Sequence, residues 1–245
     1  MLEGRTAAWP EVEELIGNGC VAVLPFGAFE QHGPHMPLST DTIMAQELAR
    51  RLARAAGALL LPPVHYGETS GNNGFPGTIS LGFDTVRRIA LDLCASLRDG
   101  GVAGLVVVNG DFGNQAPLKL AAREAKEQLG YPVLMIDYPG LAEIAAEVSE
   151  TPSAGHGFYH ADEVETSMVL AIEPTAVKME RAHEEYPRFP PAYGCTPIPL
   201  RQISRSGVFG DPRGATEEKG ARILDALTER AWGIVEPWAA GLAAS

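Results

Sequence analysis

Several familiar chemistries are missing from this 245-residue chain. No apolar run approaches the ~18 residues of a membrane-spanning helix, so no membrane association is expected. There is no Gly-x-Gly-x-x-Gly fingerprint and no P-loop, which argues against dinucleotide and nucleoside-triphosphate chemistry. The serines lack a Gly-x-Ser-x-Gly elbow. Cysteine is scarce: Cys20, Cys94 and Cys195 lie far apart with no Cys-x-x-Cys. Cys20 and Cys94 sit in apolar surroundings and read as reduced residues of a cytoplasmic protein. The first residues, Met1 to Arg5, lack the basic and then apolar pattern of a signal peptide, which gives the same expectation. Positive charge is also short, with 19 Lys and Arg against 31 Asp and Glu and a net charge of −12. That balance argues against nucleic-acid partners and adhesion to anionic membranes.

What is present is an ordinary globular composition, 45% hydrophobic and 20% charged. The whole chain, 1–245, reads as a single domain with a sizeable core. Apolar strands are expected at 21–26, Ala58 to Pro62, Leu105 to Val108 and Pro132 to Ile136. Amphipathic helices are expected at Pro10 to Ile16, 41–56, from Asp84 to about 99, 115–129, 139–149, 162–172 and 215–236. Strands alternating with helices predict an α/β fold with a mostly parallel, doubly covered sheet. Residues 180–214, rich in Pro and Gly but carrying Phe189, Tyr193, Ile198 and Leu200, read as an ordered excursion.

In such sheets ligands sit beyond the carboxyl ends of the strands. Three polar segments follow the first three strands: Glu30 to Asp41, Ser70 to Thr78 and Asn109 to Asn114. Residues i and i+2 of an extended segment point the same way, so Glu30 and His32 can face one point, and Asp41 can close on it. Carboxylates with one imidazole suit a divalent metal. Each residue also has a plainer reading: Glu30 solvated, His32 hydrogen-bonded in its loop, Asp41 an N-cap, and Asp111 a cap of the following helix. His160-Ala161-Asp162-Glu163-Val164-Glu165 crowds ionisable groups into a helix start that needs one cap. His160 there is suited to acid–base work. Asp162 and Glu165 share a helix face, with Glu163 turned away. His35, His65, His156 and His183 read as loop histidines.

Five ordered motifs resemble the creatininase (creatinine amidohydrolase) family over about residues 10–235. They are Glu30-Gln31-His32-Gly33 with Asp41; Phe75-Pro76-Gly77-Thr78; Asn109-Gly110-x-x-Gly113-Asn114; His160-Ala161-x-x-x-Glu165-Thr166-Ser167; and Gly210-Asp211-Pro212 with Ala215 to Gly220. The resemblance implies a three-layer α/β/α fold, a homohexamer and two divalent ions per chain (Zn, Mn or Fe). It also implies hydrolysis of a small cyclic amide, formamide or lactone-like substrate by an activated water. Carried over by position, Glu30 binds one metal, His32 the other, and Asp41 bridges them. Asp111 falls on a ligand histidine of the family, His160 on its proton donor, and Glu165 on a glutamate near the metals.

The chain departs from the family pattern at Asp111 (usually His), Asp162 (usually Gly) and Gly113, where creatininase itself has a ligand Glu. Glu163 or Glu165 is expected to fill that last role, and Glu163 joins His160 as a candidate catalytic residue. Phe112, Tyr159 and the Ser70–Phe75 loop, led by Ser70, are expected to shape the substrate pocket. A carboxylate at 111 hardens the site and favours Mn or Fe(II) over Zn. The departures also leave room for a non-catalytic, ligand-binding descendant.

Overall fold

Side chains alternate across the pleat of a strand, and in the two central strands both faces are apolar. The computed structural model describes residues 1–155 and 157–243, so His156 lies outside the described residues. Strands β1 (Leu2–Glu3), β2 (Ala22–Phe26), β3 (Leu59–Leu60), β4 (Leu105–Asn109) and β5 (Val133–Ile136) form one sheet. Its order is β1-β3-β2-β4-β5, and every pairing is parallel. Val23, Val106 and Val108 face one apolar core; Ala22, Leu24, Phe26, Leu105 and Val107 face the other.

Helices cover both cores. On the Val23 side lie α2 (Thr40–Ala56), α5 (Leu141–Val148), α6 (Glu163–Ile172) and α7 (Glu217–Ala243). On the other lie α1 (Trp9–Gly17), α3 (Phe83–Asp99) and α4 (Gln115–Leu129). The result is the expected three-layer α/β/α arrangement. Cys94 is buried in the second core, and all three cysteines are free. Among the described residues no helix is long and apolar enough to cross a membrane.

Three elements differ from expectation, each for a local reason. β3 is only two residues long: Leu61 still donates to the Val23 carbonyl at 2.9 Å, but Pro62 and Pro63 have no N–H to continue the ladder. β1 pairs with β3 at the sheet edge through two residues that carry no pattern of their own. α7 runs through Pro237 to Ala243, because Trp238, Ala239 and Leu242 continue the same apolar face. The 180–214 excursion is ordered, as expected. Its Leu200 and Phe209 form a third apolar cluster with Phe75, and Phe158, Phe189 and Tyr193 pack around it.

The start of α6 corrects the reading of Glu163. Asp162 caps the helix, accepting from the N–H groups of Val164 (3.0 Å) and Glu165 (3.1 Å). The next side chain turns outward from the sheet edge toward α7. The Glu163 carboxylate accepts from Lys219 Nζ (2.5 Å), Thr151 Oγ1 (2.5 Å) and the Thr151 N–H (2.8 Å). Burial alone would raise its pKa, but Lys219 and Thr151 hold it below the usual range. Glu163 therefore ties α6 to α7 and the 150–151 turn and is not among the residues lining the cleft at the carboxyl ends of the strands. Breaking a buried ion pair by removing one partner costs about 3–5 kcal/mol. Glu163→Ala should lower the melting temperature by roughly 6–15 °C at this chain length and leave the metal content of the purified protein unchanged. Loss of metal with no loss of stability would contradict the assignment.

Candidate metal centre

The carboxyl ends of β2 and β4 open into a cleft of ≈ 800 Å³ that also meets the start of α6. The loop after β2 carries Glu30 and His32 and runs straight into α2, which brings in Asp41 within its first turn. Asp41 does not act as the N-cap of α2. Its Oδ2 is buried without a hydrogen-bond partner. The turn after β4 brings Asp111, and α6 brings Glu165. The close approach of α2 to β4 needs a glycine at 110, since a Cβ there would lie 2.3 Å from the Asp41 carbonyl oxygen.

Among the described residues, ligand-type atoms meet in three groups, each within 4.8 Å: His32, Asp41 and Glu165; Glu30, Asp41 and Asp111; and Glu30, His32 and His160. Asp41 belongs to the first two. The His32 ring is oriented by its own loop, with Nδ1 donating to the Glu30 carbonyl at 3.2 Å. Its Nε2 is left facing Asp41 Oδ1 at 3.3 Å and Glu165 Oε2 at 3.7 Å, with no hydrogen-bond partner. Asp111 makes a turn contact and also lies in the cluster, while the N-cap position of α4 is held by Asn114. One oxygen, Oδ2, accepts from the Asn114 N–H at 3.1 Å at the start of α4, and the residue still joins Glu30 and Asp41. Asn72 Nδ2 donates to Glu30 Oε2 at 2.7 Å, and the Ala161 N–H to Glu165 Oε2 at 2.7 Å.

The electrostatics call for a cation. Burial, and then repulsion from Asp111 and Asp41, pushes the Glu30 carboxyl well above its usual range. Burial and Asp41 do the same to Asp111. Glu165 is raised to about 8, chiefly by burial. Burial disfavours His32 as a cation, but Asp41 and Glu165 outweigh it and raise its pKa to about 10. Buried carboxylates of one sign hold protons in the absence of a better counterion, and a divalent cation is that counterion. The donor set of carboxylate oxygens and one imidazole fits such an ion, and the unpartnered Nε2 of His32 and Oδ2 of Asp41 lie where it would bind.

His160 stands at the edge of the cluster, with Nδ1 3.9 Å from Glu30 Oε1. Burial, and then His32, holds its pKa well below the usual histidine range. Phe112, 77% exposed, and Tyr159 line the cleft. Ser70 does not: it is exposed on the outside of the 3-10 turn Ser70–Asn72, and that turn points Asn72 inward instead. His35 is buried against Thr166 Oγ1 at 2.9 Å and belongs to none of the three ligand groups.

Sequence reading passed over Gln31, Glu68, Asp137 and Tyr138, and it took the Ser70–Phe75 loop without singling out Asn72. Glu68, Asn72, Asp137 and Tyr138 line the cleft, and Gln31 touches His160. Asp137 and Tyr138 follow β5, so the carboxyl-end rule applied to a fourth strand would have found them. Tyr138 (φ 43°) and Ala161 (φ 54°) both hold a left-handed backbone, a strain that gathers at functional sites. Gly113 is closed to a side chain, since a Cβ there would lie 1.9 Å from the Glu68 carbonyl oxygen.

Comparison with known proteins agrees with this geometry. A family model described as creatininase, creatinine amidohydrolase, matches residues 5–235. Creatinine amidohydrolase of Pseudomonas putida is 30% identical over 236 residues, covering 90% of this chain and 91% of that protein. Mycofactocin precursor peptide peptidase of Mycobacterium ulcerans (strain Agy99) is 30% identical over 246 residues, covering 96% of this chain and 88% of the relative. A mutant creatininase of Zn–Zn type superposes with a TM-score of 0.87 at 27% identity, covering 96% of this chain and 97% of that one. The buried cluster and that zinc-bearing neighbour together point to divalent metal binding. With its fold, its ordered site loops and nearly its whole length accounted for by one family, the chain belongs to the creatininase family.

Proposed function

We propose that the protein is a metal-dependent amidohydrolase that holds two divalent cations and adds water across a C–N bond of a small amide. Cyclic amides, formamides and lactone-like compounds are the substrate classes in view. The observation that carries this reading is Asp41, buried and shared between the His32–Asp41–Glu165 and Glu30–Asp41–Asp111 groups. One cation in each group matches four carboxylates with four positive charges. Divalent cations held there supply Lewis-acid polarisation of a carbonyl oxygen and lower the pKa of water. The carboxylate at 111 makes the shell hard and favours Mn or Fe(II) over Zn.

The chain's own residues do the rest. Glu30, His32, Asp41, Asp111 and Glu165 hold the cations, with Asn72 and the Ala161 N–H steadying two of the carboxylates. His160 presents a ring nitrogen to the reacting amide at the edge of the cluster. Phe112 and Tyr159 offer an apolar wall. The cleft, at ≈ 800 Å³, is in the range that takes drug-sized ligands, so it has room for more than a single small ring. No lysine or arginine is among the residues lining it, whereas Glu68, Asp137 and Glu143 add to the acidic side. Asp137 and Glu143 meet Lys119 and Arg230, each at 3.4 Å, and neither cation is part of the lining. We therefore assign a neutral or cationic substrate. A homohexamer in the cytoplasm is the setting proposed on family grounds.

Two measurements test this reading. Protein loaded with Mn or Zn should hydrolyse some member of a panel of cyclic amides, formamides, lactones and short peptides. Phosphorylated or carboxylated analogues of the hit should be at least about tenfold poorer, a loss of roughly 1.4 kcal/mol. Metal-loaded protein that hydrolyses nothing would favour a non-catalytic binding role. Stability against pH tests the cation requirement. Glu165 (from 4.5 to about 8) and His32 (from 6.5 to about 10) both have raised pKa values, so the folded chain keeps protons that the unfolded chain releases. Chelator-treated protein should thus lose stability from pH 7 to 9, by about 1 kcal/mol or more per pH unit, and saturating metal should abolish the slope. Equal slopes with and without chelator would contradict it.

A further inference from the structure

Gln31 lies between the two residues that start the metal cluster, yet its side chain turns the other way, into a buried polar chain. Its amide orientation is set from both ends. Oε1 accepts from the Gly33 N–H at 2.9 Å, and a backbone N–H cannot exchange roles. Nε2 donates to Asn72 Oδ1 at 2.7 Å. Asn72 is itself fixed, because its Nδ2 donates to Glu30 Oε2 at 2.7 Å. The Gly33 N–H can only donate, so the Gln31 amide cannot flip without placing two donors face to face, and Gln31 Nε2 in turn sets the Asn72 amide. The second hydrogen on Gln31 Nε2 points at His160 Nε2, 2.6 Å away. The remaining acceptor near that nitrogen, the Gly207 carbonyl, is at 3.4 Å. Gly207 also packs the amide in place, since a Cβ there would lie 1.7 Å from Gln31 Oε1.

We propose that Gln31 is a positioning residue that fixes His160 as the Nδ1–H tautomer, so that a hydrogen and not a lone pair faces Glu30 and the cleft. A ring nitrogen that meets an N–H donor must offer its lone pair, and the hydrogen of a neutral imidazole then sits on the other nitrogen. That other nitrogen is Nδ1, 3.9 Å from Glu30 Oε1. Two consequences separate His160 from His32. His32 is the same tautomer turned to another use: its Nδ1–H is spent on the Glu30 carbonyl, and its Nε2 faces Asp41 and Glu165, where a bound cation would take the lone pair. His160 offers no lone pair toward Glu30, so the Glu30–His32–His160 group is not a third cation site. On the reading of the cleft as an amidohydrolase site, the Nδ1 hydrogen is a donor aimed at the reacting amide.

The test is a long-range ¹H–¹⁵N spectrum of Zn-loaded protein labelled at histidine, with the His160 signals identified by their loss in His160→Gln. The expected result is a protonated, pyrrole-type Nδ1 and an unprotonated, pyridine-type Nε2. Gln31→Glu puts an acceptor opposite Nε2 and should move the proton to Nε2. On any substrate the enzyme turns over, the same variant should lower kcat about 10- to 100-fold with KM little changed. A pyrrole-type Nε2 in the unmodified protein would overturn the proposal, as would an unaltered tautomer in a folded Gln31→Glu protein. If that variant fails to fold, the spectrum of the unmodified protein still decides. The spectrum needs no substrate, so a protein that hydrolyses nothing would sink the amidohydrolase reading and leave the tautomer result standing or falling separately.

Discussion

Carboxylates repel one another, and this fold buries four of them around one imidazole. Asp41 is at the centre of that constraint, because it sits in two ligand groups and keeps a buried oxygen with no partner. Isolated buried charges are costly, and a protein answers by protonating them, pairing them or binding a metal. The raised pKa values of Glu30, Asp111 and Glu165 express the pull toward the first of these answers. Pairing with lysine or arginine is not used, since neither residue type lines the cleft. The surrounding backbone is arranged to hold the carboxylates apart from water and close together: Gly110 admits α2, Asn114 and Ala161 supply N–H donors, and Asn72 steadies Glu30.

The same geometry explains why a glycine at 113 and a carboxylate at 111 go together. The Glu68 carbonyl occupies the space that a side chain at 113 would need. A ligand from that position is therefore excluded by the path of the Gly67–Thr69 segment. That segment is itself pinned by Asn114 Oδ1, which accepts from the Glu68 N–H at 2.8 Å. Negative charge lost at 113 is recovered at 111. Set against the family pattern, the exchange keeps the number of carboxylates while putting a harder donor where an imidazole is usual.

Much of this was legible because strand-to-helix topology puts polar turns on one edge. Glu30 and His32 follow from the two-residue period of an extended segment, and Asp41 from its place at a helix start. Helix geometry turned Glu163 away from the face of Asp162 and Glu165, but it left both glutamates open for the place of the missing ligand. What separates them is Lys219, an ion-pair partner far along the chain. Ser70 and Asn72 were likewise indistinguishable until the 3-10 turn fixed which faces inward. β1 escaped notice because two residues have no period, and the end of α7, expected near 236, lies seven residues further on because its apolar face continues. Gln31 carries no charge and no ligand-type atom, and its importance lies wholly in what it touches.

The central claim is that Asp41 joins two cation sites, one of them completed by Asp111. Elemental analysis of the purified protein beside Asp111→Ala tests it most directly. The account predicts about two divalent ions per chain, falling on substitution while the fold is retained. One ion or none, unchanged by the substitution, would contradict it and leave Asp111 as a turn residue that accepts from the Asn114 N–H.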